Sequence, residues 1–193
     1  MKIFSDFGRP RNGMFIATPR DFIADIEDVS PDFWRLQAIT LKTSSTKILL
    51  VNSYFPIDSR FNFDETELLE TLHFIRKLLH ETSYDHLLWA GDINADFLRQ
   101  SGHTVMIDQF LTECSLNKSW QTFNIDFTHM TEINGVSHTS TIDHFFWSKS
   151  LESNVVNSGI FHHPSNMSDH SPVFCCLTLK VCPPMNHLCL LLM

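Results

Sequence analysis

Leu87-Leu88-Trp89-Ala90-Gly91-Asp92-Ile93-Asn94-Ala95-Asp96 sets an apolar run against a Gly, then places an acid and an amide two positions apart. The run reads as a buried strand that stops at a sheet edge. Side chains on a strand alternate faces, so Asp92 and Asn94 point the same way. Gly91 lets the backbone turn or approach a ligand closely. A carboxylate beside a carboxamide at such an edge suits a water, a metal or a phosphate. Asp and Asn are also ordinary turn residues, so this stretch alone is equally a strand end followed by a polar turn.

The surrounding chain is long enough for a real core. It has 193 residues, 43% of them hydrophobic, which suits one domain or most of one. Fourteen Lys and Arg against 22 Asp and Glu leave a formal net charge of -8. That argues against the broad basic face of a non-specific nucleic-acid binder. A local basic strip remains compatible with it, and acids clustered at a metal site would add to the negative count. Of five Cys, four (Cys175, Cys176, Cys182 and Cys189) lie near the C-terminus, and no CxxC pair occurs. A structural zinc site is therefore not expected. Met1-Lys2-Ile3-Phe4-Ser5-Asp6 lacks the apolar region of a signal peptide. No run approaches the roughly 18 apolar residues of a membrane span. The expectation is an intracellular protein with reduced thiols and no membrane partner.

Periodicity gives the element order. Gly8 to Gly13 reads as a turn, followed by strands over Met14 to Thr18 and Trp34 to Lys42. Thr43-Ser44-Ser45-Thr46 predicts a hairpin into Lys47 to Phe55, a largely apolar strand expected to be covered on both faces. Asp64 to Glu81 predicts a helix, with Asp64 and Glu67 in capping-box spacing and Leu68, Leu72, Ile75 and Leu79 on one stripe. A second helix is expected from about Thr104 to Leu116, with Ile107, Phe110, Leu111 and Cys114 inward. Asn134-Gly135 marks a tight hairpin. Strands follow at Ser140 to Ser148, Val155 to Phe161 and Ser171 to Lys180. Residues from Val181 onward show no periodicity and read as a tail. Strands in runs, with two helices between, argue for sheet-on-sheet packing with helices outside, an α/β sandwich.

Three further stretches carry polar residues where strands end or begin. Asn52-Ser53-Tyr54-Phe55-Pro56 ends a buried strand with a Tyr. Thr139-Ser140-Thr141-Ile142-Asp143-His144 puts an acid on an apolar strand, where an unpaired charge is costly and a His would be a good partner. Ser168-Asp169-His170 directly precedes a strand. Each has a plainer reading, as a core Tyr with its hydroxyl in water or as a polar turn. Their order, Tyr54, then Asp92 and Asn94, then Asp143, then Asp169 and His170, lets sheet packing bring all of them together.

In that order the pieces Asn52 to Pro56, Gly91-Asp92-Ile93-Asn94, Ile142-Asp143-His144 and Ser168-Asp169-His170 resemble the endonuclease/exonuclease/phosphatase superfamily. Within it they are most similar to the apurinic-endonuclease-like domain of non-LTR retrotransposons. The likeness runs from about Gly8 to Lys180. It implies a four-layer α/β sandwich of two packed mixed sheets flanked by helices, and phosphodiester hydrolysis dependent on Mg²⁺ or Mn²⁺. Asp92 would position or deprotonate the attacking water, with Asn94 holding it and the phosphate. His170 would hydrogen-bond a phosphate oxygen, and Asp143 would orient and charge that His. Asp169 would bind or steer the metal together with Asp92, and Tyr54 would contact the phosphate. DNA is the implied substrate, with RNA or a small phosphoester as the alternative. A reverse transcriptase is the implied associate in a full-length element, and the nucleus is the place of action on chromosomal DNA.

Two departures qualify the resemblance. Family members carry an Asn-ended strand and a metal-binding Glu upstream of the segment matched by Gly8-Arg9-Pro10, and neither is found before Gly8 here. The chain is therefore expected to be a partial domain over residues 1–180, lacking the first strands, with an unstructured or unrelated tail over 181–193. A catalytically impaired remnant is the corresponding alternative function. Ile57 stands where many relatives carry a phosphate-contacting Asn.

Overall fold

A strand with apolar residues at successive positions needs cover on both faces, and Lys47–Tyr54 has it. In the computed structural model, which describes residues 2–5, 14–18, 25–58, 65–123, 126–179 and 186–192, this strand is the fifth. The elements before it are β1 (Lys2–Ser5), β2 (Phe15–Thr18), β3 (Asp25–Asp28) and β4 (Leu36–Lys42), and Lys47–Tyr54 is β5. After it come α1 (Glu65–Glu81), β6 (His86–Asp92), α2 (Gly102–Glu113), β7 (Leu116–Lys118), α3 (Ser119–Thr122), β8 (His129–Ile133), β9 (Val136–Ser140) and β10 (Asp143–Ser148). A 3-10 helix (Lys149–Asn154), β11 (Val155–Ile160), β12 (Val173–Leu179) and β13 (Asn186–Leu192) complete the order.

Six strands form one mixed sheet in the order β3-β4-β5-β6-β10-β7, with β5 and β6 parallel and the other pairs antiparallel. Period-two alternation divides its residues between two cores. Leu49, Val51, Leu87, Trp89 and Phe146 pack against Leu68, Leu72 and Ile75 of α1 and Ile107, Phe110 and Leu111 of α2. Ile48, Leu50, Leu88, Phe145 and Trp147 pack the other way, against Val173, Cys175 and Leu177 of β12. Helices, six-stranded sheet and the β11-β12-β13 sheet are thus successive layers of an α/β sandwich. No described helix is long and apolar enough to cross a membrane.

Local expectations and structure agree at most elements and differ at a few. The turns at Gly8 to Gly13 and the Asp64 cap lie outside the described residues. On α1, Leu78 is buried where Leu79 is only half-buried, so the buried arc drifts along the helix. Helix α2 starts two residues before the expected Thr104, because Ser101 caps it in a reciprocal capping box with Thr104 rather than with a Glu. Short β7 and α3 carry too few residues for periodicity to register.

The expected unstructured tail requires correction. Asn186–Leu192 is a strand paired antiparallel to β12, from Val173 opposite Leu192 to Leu179 opposite Asn186. An apolar run without alternation finds its place as the partner of β12, which no local pattern reveals. Its register sets Cys189 opposite Cys176, and Cys176 is disulfide-bonded, unlike the free Cys114 and Cys175. Fully reduced thiols were the expectation from composition, so this too differs.

Gly91 has a structural reason that differs from ligand approach. A Cβ there would overlap the Ser53 carbonyl oxygen and stand 2.6 Å from the Ser53 Oγ. The neighbour that needs the space is strand β5, whose Ser53 hydroxyl also accepts from the Trp89 indole at 2.7 Å. Gly91→Ala should therefore cost about 1–3 kcal/mol, at the upper end because backbone must move. Urea unfolding checks this, and a wild-type midpoint would refute the claim that β5 leaves no room.

Candidate active site

The inner, sheet-facing side of the six-stranded sheet changes character at one edge. Ile48 and Leu50 on β5, Leu88 on β6, and Phe145 and Trp147 on β10 fill the inter-sheet core. Continuing the same alternation, the next residues on that face are Asn52 and Tyr54, Asp92, and Asp143. Asp92 and Asp143 are direct cross-strand partners, and Tyr54 is in register with Asp92 across the parallel β5–β6 pair. Three strand ends thus bring a phenol and two carboxylates to the rim of the core.

Backbone and side-chain bonds hold this rim. The Ile93 amide donates to the Ile142 carbonyl at 2.8 Å, and the Phe55 amide to the Asp92 carbonyl at 2.8 Å. Asn94 adopts a left-handed φ of 50°, a conformation Asn tolerates. Its amide N–H donates to Asp92 Oδ1 at 3.1 Å, and its Nδ2 donates to the Phe55 carbonyl at 2.9 Å, which turns Oδ1 the other way. Fully buried Thr128 accepts from the Ile142 and Asp143 amides at 2.9 and 3.1 Å through one hydroxyl. Below Tyr54, Arg35 donates to the Tyr54 carbonyl at 3.3 Å and to Glu67 at 2.9 Å, and lies over the Trp34 ring at 4.1 Å.

His170 arrives from the loop before β12 and closes the group. Its Nδ1 is 2.9 Å from Asp143 Oδ2. That hydrogen bond to the carboxylate holds the imidazole charged, raising it from 6.5 to about 9. Burial, and then the like charge of Asp143, push the Asp92 carboxyl from 3.8 up to about 7. Asp92, Asp143 and His170 offer ligand atoms within 4.8 Å of one another, and so do His129, Asp169 and His170. Asp169 itself is exposed and stands 3.6 Å from the His129 ring.

All six residues singled out in the sequence therefore reach one rim, with Tyr54 at its β5 end and Asp169 on its solvent side. Three others were not singled out. Thr128 and His129 sit at the start of the β8–β9 hairpin, and their partners are far away in sequence, so no local signal marks them. Buried His144 was read only as part of a motif. Its Nε2 lies 2.9 Å from the Ala95 carbonyl and 3.1 Å from the Thr141 carbonyl, tying the loop after Asp92 to the strand start before Asp143. Burial lowers its pKa, so it is a neutral ring donating one N–H.

A cavity of 430 Å³ opens beside Asn94, between Asp58, Arg99, Ser101, His129 and Ser140. Arg99 pairs with Asp96 at 3.2 Å and donates to the Thr139 carbonyl at 2.6 Å, so a cation lines this cavity. The arrangement provides an acid-base carboxylate, a fixed imidazolium, an amide and an adjoining hollow. Such a set can place a water and neutralise an anion in one spot.

No protein-family model and no curated protein matches the chain. Solved structures do. The endonuclease domain of TRAS1, a telomere-specific non-LTR retrotransposon, superposes with a TM-score of 0.75 at 16% identity, over 93% of this chain and 80% of that one. An endonuclease/exonuclease/phosphatase family protein from Leptotrichia buccalis aligns with a TM-score of 0.55 at 19% identity, over 77% of this chain and 58% of that one. The AP endonuclease LMAP from Leishmania major gives 0.60 at 19% identity, over 74% of this chain and 54% of that one. The chain thus spans a little over half the length of the latter two. From the layer order and these superpositions, the chain has the fold of the endonuclease/exonuclease/phosphatase proteins, the retrotransposon endonuclease domain among them.

Proposed function

We propose that this chain hydrolyses phosphodiester bonds in DNA, nicking one strand with the help of Mg²⁺ or Mn²⁺. The observation that carries the reading is the rim itself: Asp92 facing Asp143, with Asp143 bonded to His170. The fold shared with an AP endonuclease and a retrotransposon endonuclease domain supports it. On this reading the nucleus is where the chain meets chromosomal DNA, beside a reverse transcriptase of the same element.

Asp92, Asp169 and the Asn94 amide oxygen are hard donors that suit Mg²⁺, which needs only one or two carboxylates. A cation beside Asp92 would offset the burial and the Asp143 charge that raise its carboxyl. Bound there, it would polarise a phosphoryl oxygen and ease charge on the leaving alkoxide. Asp92 orients the attacking water and takes its proton. Asn94 holds the water and the phosphate. His170 donates to a phosphate oxygen as its charge grows, and Asp143 keeps that ring oriented and protonated. Tyr54 contacts the phosphate from the β5 side. The cavity beside Asn94 receives the nucleotide next to the scissile bond.

A second reading, a catalytically impaired remnant of the same domain, has one observation in its favour. No Glu joins either metal-competent cluster among the described residues. Nicking of supercoiled plasmid with Mg²⁺ separates the two. Asp92→Ala should lower the rate about 10²–10⁴-fold, and His170→Ala about 10²–10³-fold, with EDTA abolishing it. A folded wild-type chain that nicks under neither Mg²⁺ nor Mn²⁺ would favour the remnant.

Stability carries a separate signature in cation-free buffer. Asp92 and His170 both hold protons more tightly folded than unfolded, with values raised to about 7 and about 9. Each contribution is full below the unfolded value and is lost as pH rises through the folded one. For Asp92 that window runs from 3.8 to about 7. The stability gained by Asp92→Asn should therefore grow as pH rises from roughly 4 to 7 and level off above that, by at most about 1.4 kcal/mol per unit of the shift. Paired thermal melts test this, and a gain independent of pH would mean that neither burial nor Asp143 raises the Asp92 carboxyl.

A further inference from the structure

We propose that His129, Asp169 and His170 form a binding site for a transition-metal cation of the zinc class, and that a cation held there inhibits nicking by occupying His170. The site shares Asp169 and His170 with the reading above but rests on geometry of its own. One ligand atom from each of the three residues lies within 4.8 Å of the others. His129 Nε2 is 3.6 Å from Asp169 Oδ2, and the two imidazole rings meet edge to face at 4.9 Å.

The backbone fixes the two histidines relative to each other. An antiparallel bridge pairs His129 with His170. The Met130 amide donates to the Asp169 carbonyl at 2.9 Å, and the Ser171 amide to the Thr128 carbonyl at 2.6 Å. A second, independent feature is what holds the far side of each ring. His129 Nδ1 pairs with the Ser140 Oγ at 3.2 Å, and His170 Nδ1 with Asp143 Oδ2 at 2.9 Å. Metal-binding imidazoles are oriented in this way, by a partner on the nitrogen that does not bind. Both rings are left with Nε2 for a cation, and the carboxylate behind His170 makes that nitrogen a better donor.

Donor chemistry decides which cation. Two imidazoles and one carboxylate, with a position left to solvent, match zinc and neighbouring first-row ions. Mg²⁺ prefers oxygen throughout, so of this set only Asp169 would serve it, and Asp92 and the Asn94 amide oxygen remain as its other donors. Asp169 is 65% exposed, so a cation can enter from solvent. On binding, the cation takes the place of the Nε2 proton of His170, which is released to solvent. That nitrogen then has no proton to donate to a phosphate oxygen, and nicking stops while Mg²⁺ is still present.

Cobalt serves as the probe, because it substitutes for zinc and absorbs visible light. The full chain is titrated with Co²⁺ in excess Mg²⁺. The expected result is a visible d–d band of a low-coordinate ion without the near-ultraviolet band that a Cys ligand would give, lost on adding Zn²⁺. His129→Ala should weaken Zn²⁺ by more than about tenfold, and Ser140→Ala, which keeps all three ligands, by a smaller factor. Whatever Mg²⁺-dependent nicking His129→Ala retains should resist Zn²⁺, read as the ratio of rates with and without Zn²⁺ in the same variant. No band in the wild type, or an equal band in folded His129→Ala, overturns the site. A His129-dependent band in a chain that never nicks would keep the metal site and remove the nuclease reading, and nicking without the band would do the reverse.

Discussion

Asp92 and Asp143 are direct partners across two antiparallel strands, on one face of the sheet. Like charges so placed repel, and burial makes the repulsion worse. The rest of the rim is arranged around making that pair tolerable. His170 answers Asp143 with a hydrogen-bonded positive charge, and the Asn94 amide answers Asp92. Burial, and then the Asp143 charge beside it, hold the Asp92 carboxyl near neutrality. A group in that condition is primed to accept a proton or a cation.

The pair keeps its position because the strands beneath it cannot slip. β5, β6 and β10 each feed one set of side chains to the helix-side core and the other set to the inter-sheet core. A one-residue shift would exchange the two sets. It would also send Asp92, Asp143 and Tyr54 to the helix side. Gly91 and Ser53 tighten the same register, since the two strands approach too closely there for any side chain but hydrogen. Precision at the rim is thus a by-product of packing on both faces.

The second sheet and the β8–β9 hairpin supply what the first sheet lacks. His170 comes from the loop before β12, and Thr128 and His129 come from the hairpin stem, where the two segments bridge at the backbone. This junction lets one imidazole serve two sets of donors, oxygen-rich on the Asp92 side and nitrogen-containing on the His129 side.

Much of this was legible in the sequence because it is local. Apolar runs, the Gly91-Asp92-Ile93-Asn94 turn and the Asn134-Gly135 hairpin are properties of neighbouring residues. Asp143 on an apolar strand announced its need for a partner by the cost of burying a charge. The order of the four polar stretches and a resemblance supplied the rest of the rim. Thr128, His129, the pairing of Asn186–Leu192 and the disulfide at Cys176 were not legible. Each depends on which distant segment lies alongside, and strand pairing across long separations leaves no periodic trace in either segment. The sequence by itself determined the residue types at the strand ends and the faces they share. Only the tertiary structure decided which rings meet, because that follows from how two sheets pack and not from spacing along the chain.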